Sequence, residues 1–298
     1  VIVRDKPGLL RLFLIVRGSV VQQIWPQVGL VMALSLAVVL GHAHAPGLIP
    51  TVNGAPFALV GIALSVFLGF RNNACYDRWW EARKIWGHLV TVSRDLVRQT
   101  LLLPPRGATG ARARETLLRQ AVVFAHALAR HVRGTDTPGN AITSDWPHPD
   151  QPLLRMGETL AALRAAPAPV LSDVEFTLLD HTVGQLSAVL SSCERLRNTP
   201  VPFGYTLLLH RTAYLFCFML PFGFADVLGL ATPLAAGVVA YTLFGLDALS
   251  EELEEPFGIL PNDLPITALA IAVERILRGA LGDTDLPSPA EPVDGILL

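Results

Sequence analysis

The sequence predicts an all-α integral membrane protein in which four transmembrane helices carry a helical cytosolic region. Three observations lead there. Of 298 residues, 51% are hydrophobic and only 16% are charged, a more apolar balance than an average soluble chain has. Apolar runs approaching the roughly 20 residues that a spanning helix needs recur along the chain, bounded by charge or proline. No alternation of period two persists in any segment, so no β-strand is predicted.

The elements follow in order. Gly8 to Gln23 sets Arg11 and Arg17 among apolar residues and is predicted to lie as an interfacial helix on the membrane surface. Trp25-Pro26 opens the first span, Val28 to Leu40. The loop from Gly41 to Pro56 holds His42 and His44 but no Lys or Arg. Arg4, Lys6, Arg11 and Arg17 precede that span, and Arg71, Arg78, Arg83 and Lys84 follow the next. The positive-inside rule then puts the N-terminus in the cytosol and the loop outside.

The stretch from Pro56 to Arg83 begins without an ionisable side chain and ends with Arg71, Asp77, Arg78, Glu81 and Arg83. Its helix is predicted to run to about Leu103, because Pro104-Pro105 is the next strong stop. Some 45 residues at 1.5 Å each reach about 65 Å, against a hydrocarbon core of about 30 Å, so the helix must extend into the cytosol. Asp77 and Glu81 are expected to pair with nearby arginines. Trp79, Trp80 and Trp86 are expected at the membrane interface or against a neighbouring subunit. At 3.6 residues per turn Ile62, Val66 and Phe70 share one stripe, and Gly61, Ser65 and Gly69 form a small-residue stripe beside it. Small stripes let helices approach closely in lipid. Copies packed through that stripe would leave Ile62, Val66 and Phe70 facing a shared axis, as a hydrophobic gate that works by dewetting. The alternative is ordinary helix packing.

Farther on, Ala111 to Arg133 has helical periodicity, Thr135 to Gln151 reads as a long loop and Leu153 to Ala165 as a short helix. Ser172, with Glu175 three residues on, is a candidate capping box for a helix to about Asn198. Pro200-Val201-Pro202 forces extended backbone. Thr206 to Phe224 and Thr232 to Leu249 are the third and fourth spans, joined outside the membrane by a short loop around Asp226. Pro265 to Gly282 is the last helix, and Asp283 to Leu298 a mobile tail. The resulting division is 1–23 as a cytosolic or interfacial segment, 24–70 as the first two spans and 71–205 as the helical cytosolic region. Residues 206–250 hold the last two spans, 251–282 a cytosolic C-terminal segment, and 283–298 the tail.

A formal net charge of −2 supplies no basic field for nucleic acid. Cys75, Cys193 and Cys217 have no CxxC spacing and are expected to be reduced structural thiols. His88, His126, His181 and His210 lack any ligand spacing, so a membrane-bound enzyme or sensor is only a remote alternative, with no cofactor and no metal expected. Asp247, Ser250, Glu251, Glu252, Glu254 and Glu255 crowd the end of the fourth span, and such oxygens could suit calcium.

Three ordered segments carry a resemblance: FRNNACYDRWWEARKIWG from Phe70 to Gly87, ERLRNTPVPFGYTLLLHR from Glu194 to Arg211, and EEPFGILPNDLPI from Glu254 to Ile266. Together with Val66-Phe67-Leu68-Gly69-Phe70 they resemble the bestrophin family in its bacterial form. The resemblance covers roughly Val20 to Leu277 and is weakest from Pro104 to Val170. It implies a homopentamer around a central ion pore, in the bacterial inner membrane with both termini cytoplasmic and membrane lipid around it. It also implies a neck lined by Ile62, Val66 and Phe70 and a second, cytosolic constriction at Val201. In animal bestrophins the matching PFG is followed by a dense acidic cluster that helps clasp calcium, whereas here Ile259 to Asp263 holds one acid. Animal members also favour chloride and line the neck with aromatic residues, where this chain has Val66. Both outer loops lack Lys and Arg, which leaves Asp226 as the charged outer group, and five copies would make a carboxylate ring. The reading therefore leans to monovalent cations, sodium first, with a chloride-selective channel of the same architecture as the alternative.

Overall fold

The computed structural model describes residues 1–3, 8, 15, 18–45, 47, 49–50, 52–134, 148–167 and 170–297. The described residues form eight α-helices: α1 (Val21–His44), α2 (Ala55–Gln99), α3 (Ala108–Arg133), α4 (Asp150–Ala165), α5 (Asp173–Asn198), α6 (Phe203–Leu228), α7 (Thr232–Glu254) and α8 (Ile266–Leu281). Isolated bridges pair Ile296 with Ile2 and with Val293. The interfacial helix expected before α1 falls mostly outside the described residues, as does most of the loop expected from Thr135 to Gln151. The helices divide into two compact units: Arg4–Trp79 with Pro200–Glu255, and Val1–Val3 with Trp80–Thr199 and Pro256–Leu298. Helix α2 contributes to both.

Among the described residues three stretches are long and apolar enough to cross a membrane: Val21–His44, Ala55–Arg106 and Phe203–Glu254. The third comprises α6 and α7, separated by a 3-10 turn at Gly229–Ala231. In the first unit α1 packs on α6 and α7, and α6 packs on α7. Ile24, Val31, Leu64, Leu68, Phe216 and Phe244 build its core. Ala213, Ala236 and Ala240 are buried in the same core, where short side chains bring backbones close and dispersion replaces water exclusion as the cohesive force. At Gly237 even a Cβ would lie 2.8 Å from the Met32 side chain.

Two boundaries differ from the sequence reading. Helix α6 continues through Pro221 and Asp226 and closes at Gly229, whose φ of 52° suits glycine. Asp226 thus sits in the last helical turn rather than in a loop. Helix α7 runs past Leu249 to Glu254, because the next breaker is Pro256, which disfavours helical backbone at Glu255.

In the second unit α3 packs on α8 and α4, and α4 packs on α5. Phe124 and Leu128, Met156 and Leu160, Leu186, and Val273 and Leu277 are buried on the facing surfaces. Helix α5 opens with the expected capping box: Glu175 N–H donates to the Ser172 hydroxyl, and the Glu175 carboxylate accepts from the Ser172 N–H. These bonds, with Arg106 beside it, hold the Glu175 carboxyl below its usual value. Glu81 pairs with Arg195, as expected of an arginine partner. Of the three tryptophans expected at an interface, Trp86 is instead fully buried, Trp79 stacks on Tyr76 and Trp80 is exposed.

Helix α8 is fixed to α3 through Glu274, which accepts from His126 at 2.7 Å and from Arg278 at 2.9 Å. Burial pushes the Glu274 carboxyl up, but these donors outweigh it and leave it below its usual value. The segment after α8, for which the sequence suggests mobility, makes contacts of its own: Asp283 accepts from Arg278 at 2.9 Å and from Arg119 at 3.3 Å.

Candidate functional site

Helix α2 presents two unlike faces within the first unit. Leu64, Leu68, Arg71 and Cys75 recur at i, i+4, i+7 and i+11 and are all buried. Ile62, Val66 and Phe70 lie on roughly the opposite side of the helix and are 49–65% exposed. The Phe67 ring meets Phe70 edge-on at 6.5 Å. Beside this strip a cavity of about 590 Å³ is lined by Phe57, Gly61, Ile62, Val66, Phe216 and Val239, among others.

The small-residue stripe is split in its surroundings. A Cβ on Gly61 would lie 3.2 Å from the Phe216 ring, so Gly61 serves packing inside this chain, whereas a Cβ on Gly69 would meet nothing within 4 Å. Ser65 turns its hydroxyl back to the Gly61 carbonyl at 2.8 Å, a common way for a hydroxyl to be satisfied inside an apolar helix.

One residue past Phe70, Arg71 is only 2% exposed. A guanidinium taken out of water is tolerated only with paired charge and hydrogen bonds. Asp247 of α7 supplies the first partner, in contact with Nη1, and Glu254 the second, with Oε2 at 3.6 Å from Nη2. The other Asp247 oxygen is 2.6 Å from His210 Nδ1. Glu254 also reaches Val201: its Oε1 accepts from the Val201 N–H at 3.0 Å. Pro200 and Pro202 have no N–H, so Val201 carries the only backbone donor of that turn, and Glu254 satisfies it. Arg78 Nε donates to the Glu254 carbonyl at 3.1 Å. One partly buried carboxylate thereby links the arginine that follows Phe70 to the turn that holds Val201.

Three of the acids that composition offered to calcium have other partners. Asp247 and Glu254 belong to Arg71 and its neighbours, and Glu252 accepts from Gln23 Nε2 at 2.7 Å. Of the four histidines considered for catalysis, His88 and His181 meet Gln185, His126 meets Glu274, and His210 meets Asp247. Asp226 is 58% exposed at its side chain and stands 3.8 Å from His42 Nδ1 of α1.

Residues 1–279 match the model of the bacterial/fungal bestrophin family. The chain belongs to the bestrophin family. A voltage-dependent anion channel-forming protein of Mesorhizobium japonicum is 44% identical over 293 residues, covering 95% of this chain and 93% of the relative. One of the same description from Salmonella typhi is 40% identical, covering 98% and 97%. The crystal structure of a bacterial bestrophin homologue from Klebsiella pneumoniae superposes with a TM-score of 0.77 at 37% identity, covering 87% of this chain and 99% of that one. This bestrophin is an integral membrane protein whose regular elements, among the described residues, are helices.

The sequence reading passed over the Arg71 network as a unit, although a signal for it exists. Arg71 falls on the same stripe as Leu64, Leu68 and Cys75, so a helix buried through that stripe buries a charge. Ionisable residues so placed face a partner inside the protein rather than lipid. Asp247, ending a nearly uncharged run, meets the same description.

Proposed function

We propose that this bestrophin assembles as a homopentameric channel that passes small monovalent ions down their gradient, with anions preferred. The observation that carries the reading is an exposed apolar strip, Ile62, Val66 and Phe70, on a membrane-crossing helix of a family whose relatives are named anion channel-forming proteins. Fivefold symmetry turns each residue of the strip into a ring, and an apolar ring strips water from an ion without replacing it. Gly69, with open space at its Cβ, suits close approach of a neighbouring copy. Val201 forms the second constriction, fixed from behind by Glu254. The chain crosses the bacterial inner membrane four times, turning outside at Gly229–Ala231, with both termini cytoplasmic and lipid around the outer helices.

A second reading, selectivity for cations such as sodium, rests on Asp226. Its exposed carboxylate, repeated five times, would concentrate cations at the outer mouth. His42 at 3.8 Å opposes that charge whenever it is protonated, and the relatives' names favour the anion reading.

The test is the reversal potential of purified protein in a planar bilayer under a tenfold NaCl gradient, where ideal selectivity gives about 59 mV of either sign. Reversal near the chloride potential supports the anion channel, and reversal near the sodium potential supports the second reading. Under the second reading Asp226→Asn at low ionic strength, where surface charge is least screened, reduces the sodium preference. Protein that inserts but carries no current in either direction sinks both.

A further inference from the structure

Three helix ends of the second unit bring together a set of side chains that the channel reading does not use. His131 stands in the last turn of α3, Glu194 in the last turns of α5, and His148 two residues before α4. One ligand atom from each lies within 4.8 Å of the other two. His131 Nε2 is 3.0 Å from Glu194 Oε1, and the His131 and His148 rings meet edge-on with centroids 4.7 Å apart. We propose that His131, His148 and Glu194 form a binding site for a zinc-type divalent cation.

The chemistry of the donors selects the ion. Two imidazoles and one carboxylate suit zinc, which takes nitrogen and oxygen ligands at about 2.0–2.2 Å and accepts three protein ligands with water in the fourth position. Calcium and magnesium require oxygen ligands in greater number. Tetrahedral zinc holds its ligand atoms about 3.4 Å apart, so the His131–Glu194 pair, at 3.0 Å, is already near its bound spacing and no pair has more than about 1.4 Å to close. His148 and Glu194 provide that adjustment, since their side chains are 46% and 36% exposed, whereas His131 is held at 18%.

The surroundings hold the donors in place. His148 Nδ1 accepts from the Asp150 N–H at 3.4 Å and lies 3.2 Å from Asp150 Oδ2, contacts that tie the imidazole to the start of α4 and leave its other nitrogen for the metal. Behind His131 the helix closes at Gly134, whose N–H donates to the His131 carbonyl at 3.1 Å, and Arg197 donates to the same carbonyl. Bound metal would tie the start of α4 to the ends of α3 and α5 and so stabilise the unit by linkage.

The experiment uses the full chain in detergent, stripped with chelator, and Zn2+ alone as probe. Isothermal titration is expected to give one Zn2+ per chain and a rise in melting temperature that excess Ca2+ or Mg2+ neither reproduces nor blocks. His131→Gln, His148→Gln and Glu194→Gln are each expected to weaken Zn2+ binding at least tenfold, as loss of ligands or their supports does, while His88→Gln and His181→Gln leave it unchanged. The metal-free melting temperature of each variant checks its fold; should His131→Gln fail that check, the exposed His148→Gln carries the test. Zn2+ bound as tightly by His148→Gln and Glu194→Gln as by the parent chain, or no binding at all, overturns the assignment.

Discussion

Arg71 sets the strictest demand of any single residue in the first unit, because its guanidinium is buried and two carboxylates answer it. Removing one member of a buried ion pair leaves the other charged and unpaired, at a cost of about 3–5 kcal/mol, whereas replacing the whole set with well-packed apolar groups is often neutral. Asp247→Asn is therefore expected to lower unfolding free energy by about 3 kcal/mol or more, since Glu254 is farther from Arg71 than Asp247 is and also serves Val201. The double variant Arg71→Met with Asp247→Leu is expected to recover most of that loss. Denaturant titration of the detergent-solubilised protein measures both, and a single variant within about 0.5 kcal/mol of the parent would show that the pair does not hold α2 to α7.

Among the elements, what the sequence makes legible is what it encodes locally. The capping box at Ser172 rests on residues a few positions apart, and the structure has it; α2 itself ends at Gln99, four residues before the expected Leu103, and a 3-10 turn over Thr100–Leu102 carries the chain to the Pro104-Pro105 stop. Apolarity alone predicts ends at Phe224 and Leu249, short of the observed ends of α6 and α7 at Leu228 and Glu254. A helix leaving lipid keeps its hydrogen bonds until Gly229 or Pro256 intervenes. The Arg71–Asp247–Glu254 network was harder to read, since its members are 176 and 183 residues apart in the chain and only packing brings them together. The small stripe carries a similar lesson. Gly61 and Gly69 are equivalent by spacing, yet Phe216 of the same chain backs Gly61 and not Gly69. Gly61→Leu is accordingly expected to lower the melting temperature of the protein whatever its assembly state, because the new side chain collides with a core ring. Gly69→Leu is expected to leave the fold intact and alter assembly or conductance. Melting curves and light scattering on the two variants separate the effects, and identical behaviour of the two would remove the distinction.

For the whole molecule, the single chain leaves a great deal of apolar surface uncovered, with Leu59, Ile62, Phe70, Val227, Leu234 and Val238 all well exposed. In water such a surface would mark an interface; in a membrane most of it can face lipid at no cost. The strip of Ile62, Val66 and Phe70 differs because it lies on the same helix as a buried charge, opposite the face that packs into the chain, and is flanked by a glycine with open space. Those features are what a neck helix needs: one face fixed to its own subunit, one edge close to a neighbour, one face left for the axis. If the strip is the gate, conductance is limited there by the free energy of dehydrating an ion between apolar rings, and shortening the side chains widens the passage enough to keep water. Ile62→Ala, Val66→Ala and Phe70→Ala combined are expected to raise single-channel conductance severalfold and to increase open probability, with reversal potential moving towards zero as discrimination weakens. Val201→Ala, at the proposed second constriction, is expected to change conductance less if the neck is the gate. Single-channel recording distinguishes the outcomes. A triple variant whose unit current and open probability equal those of the parent would place the limiting barrier elsewhere, and a larger effect of Val201→Ala would assign it to the turn that Glu254 holds.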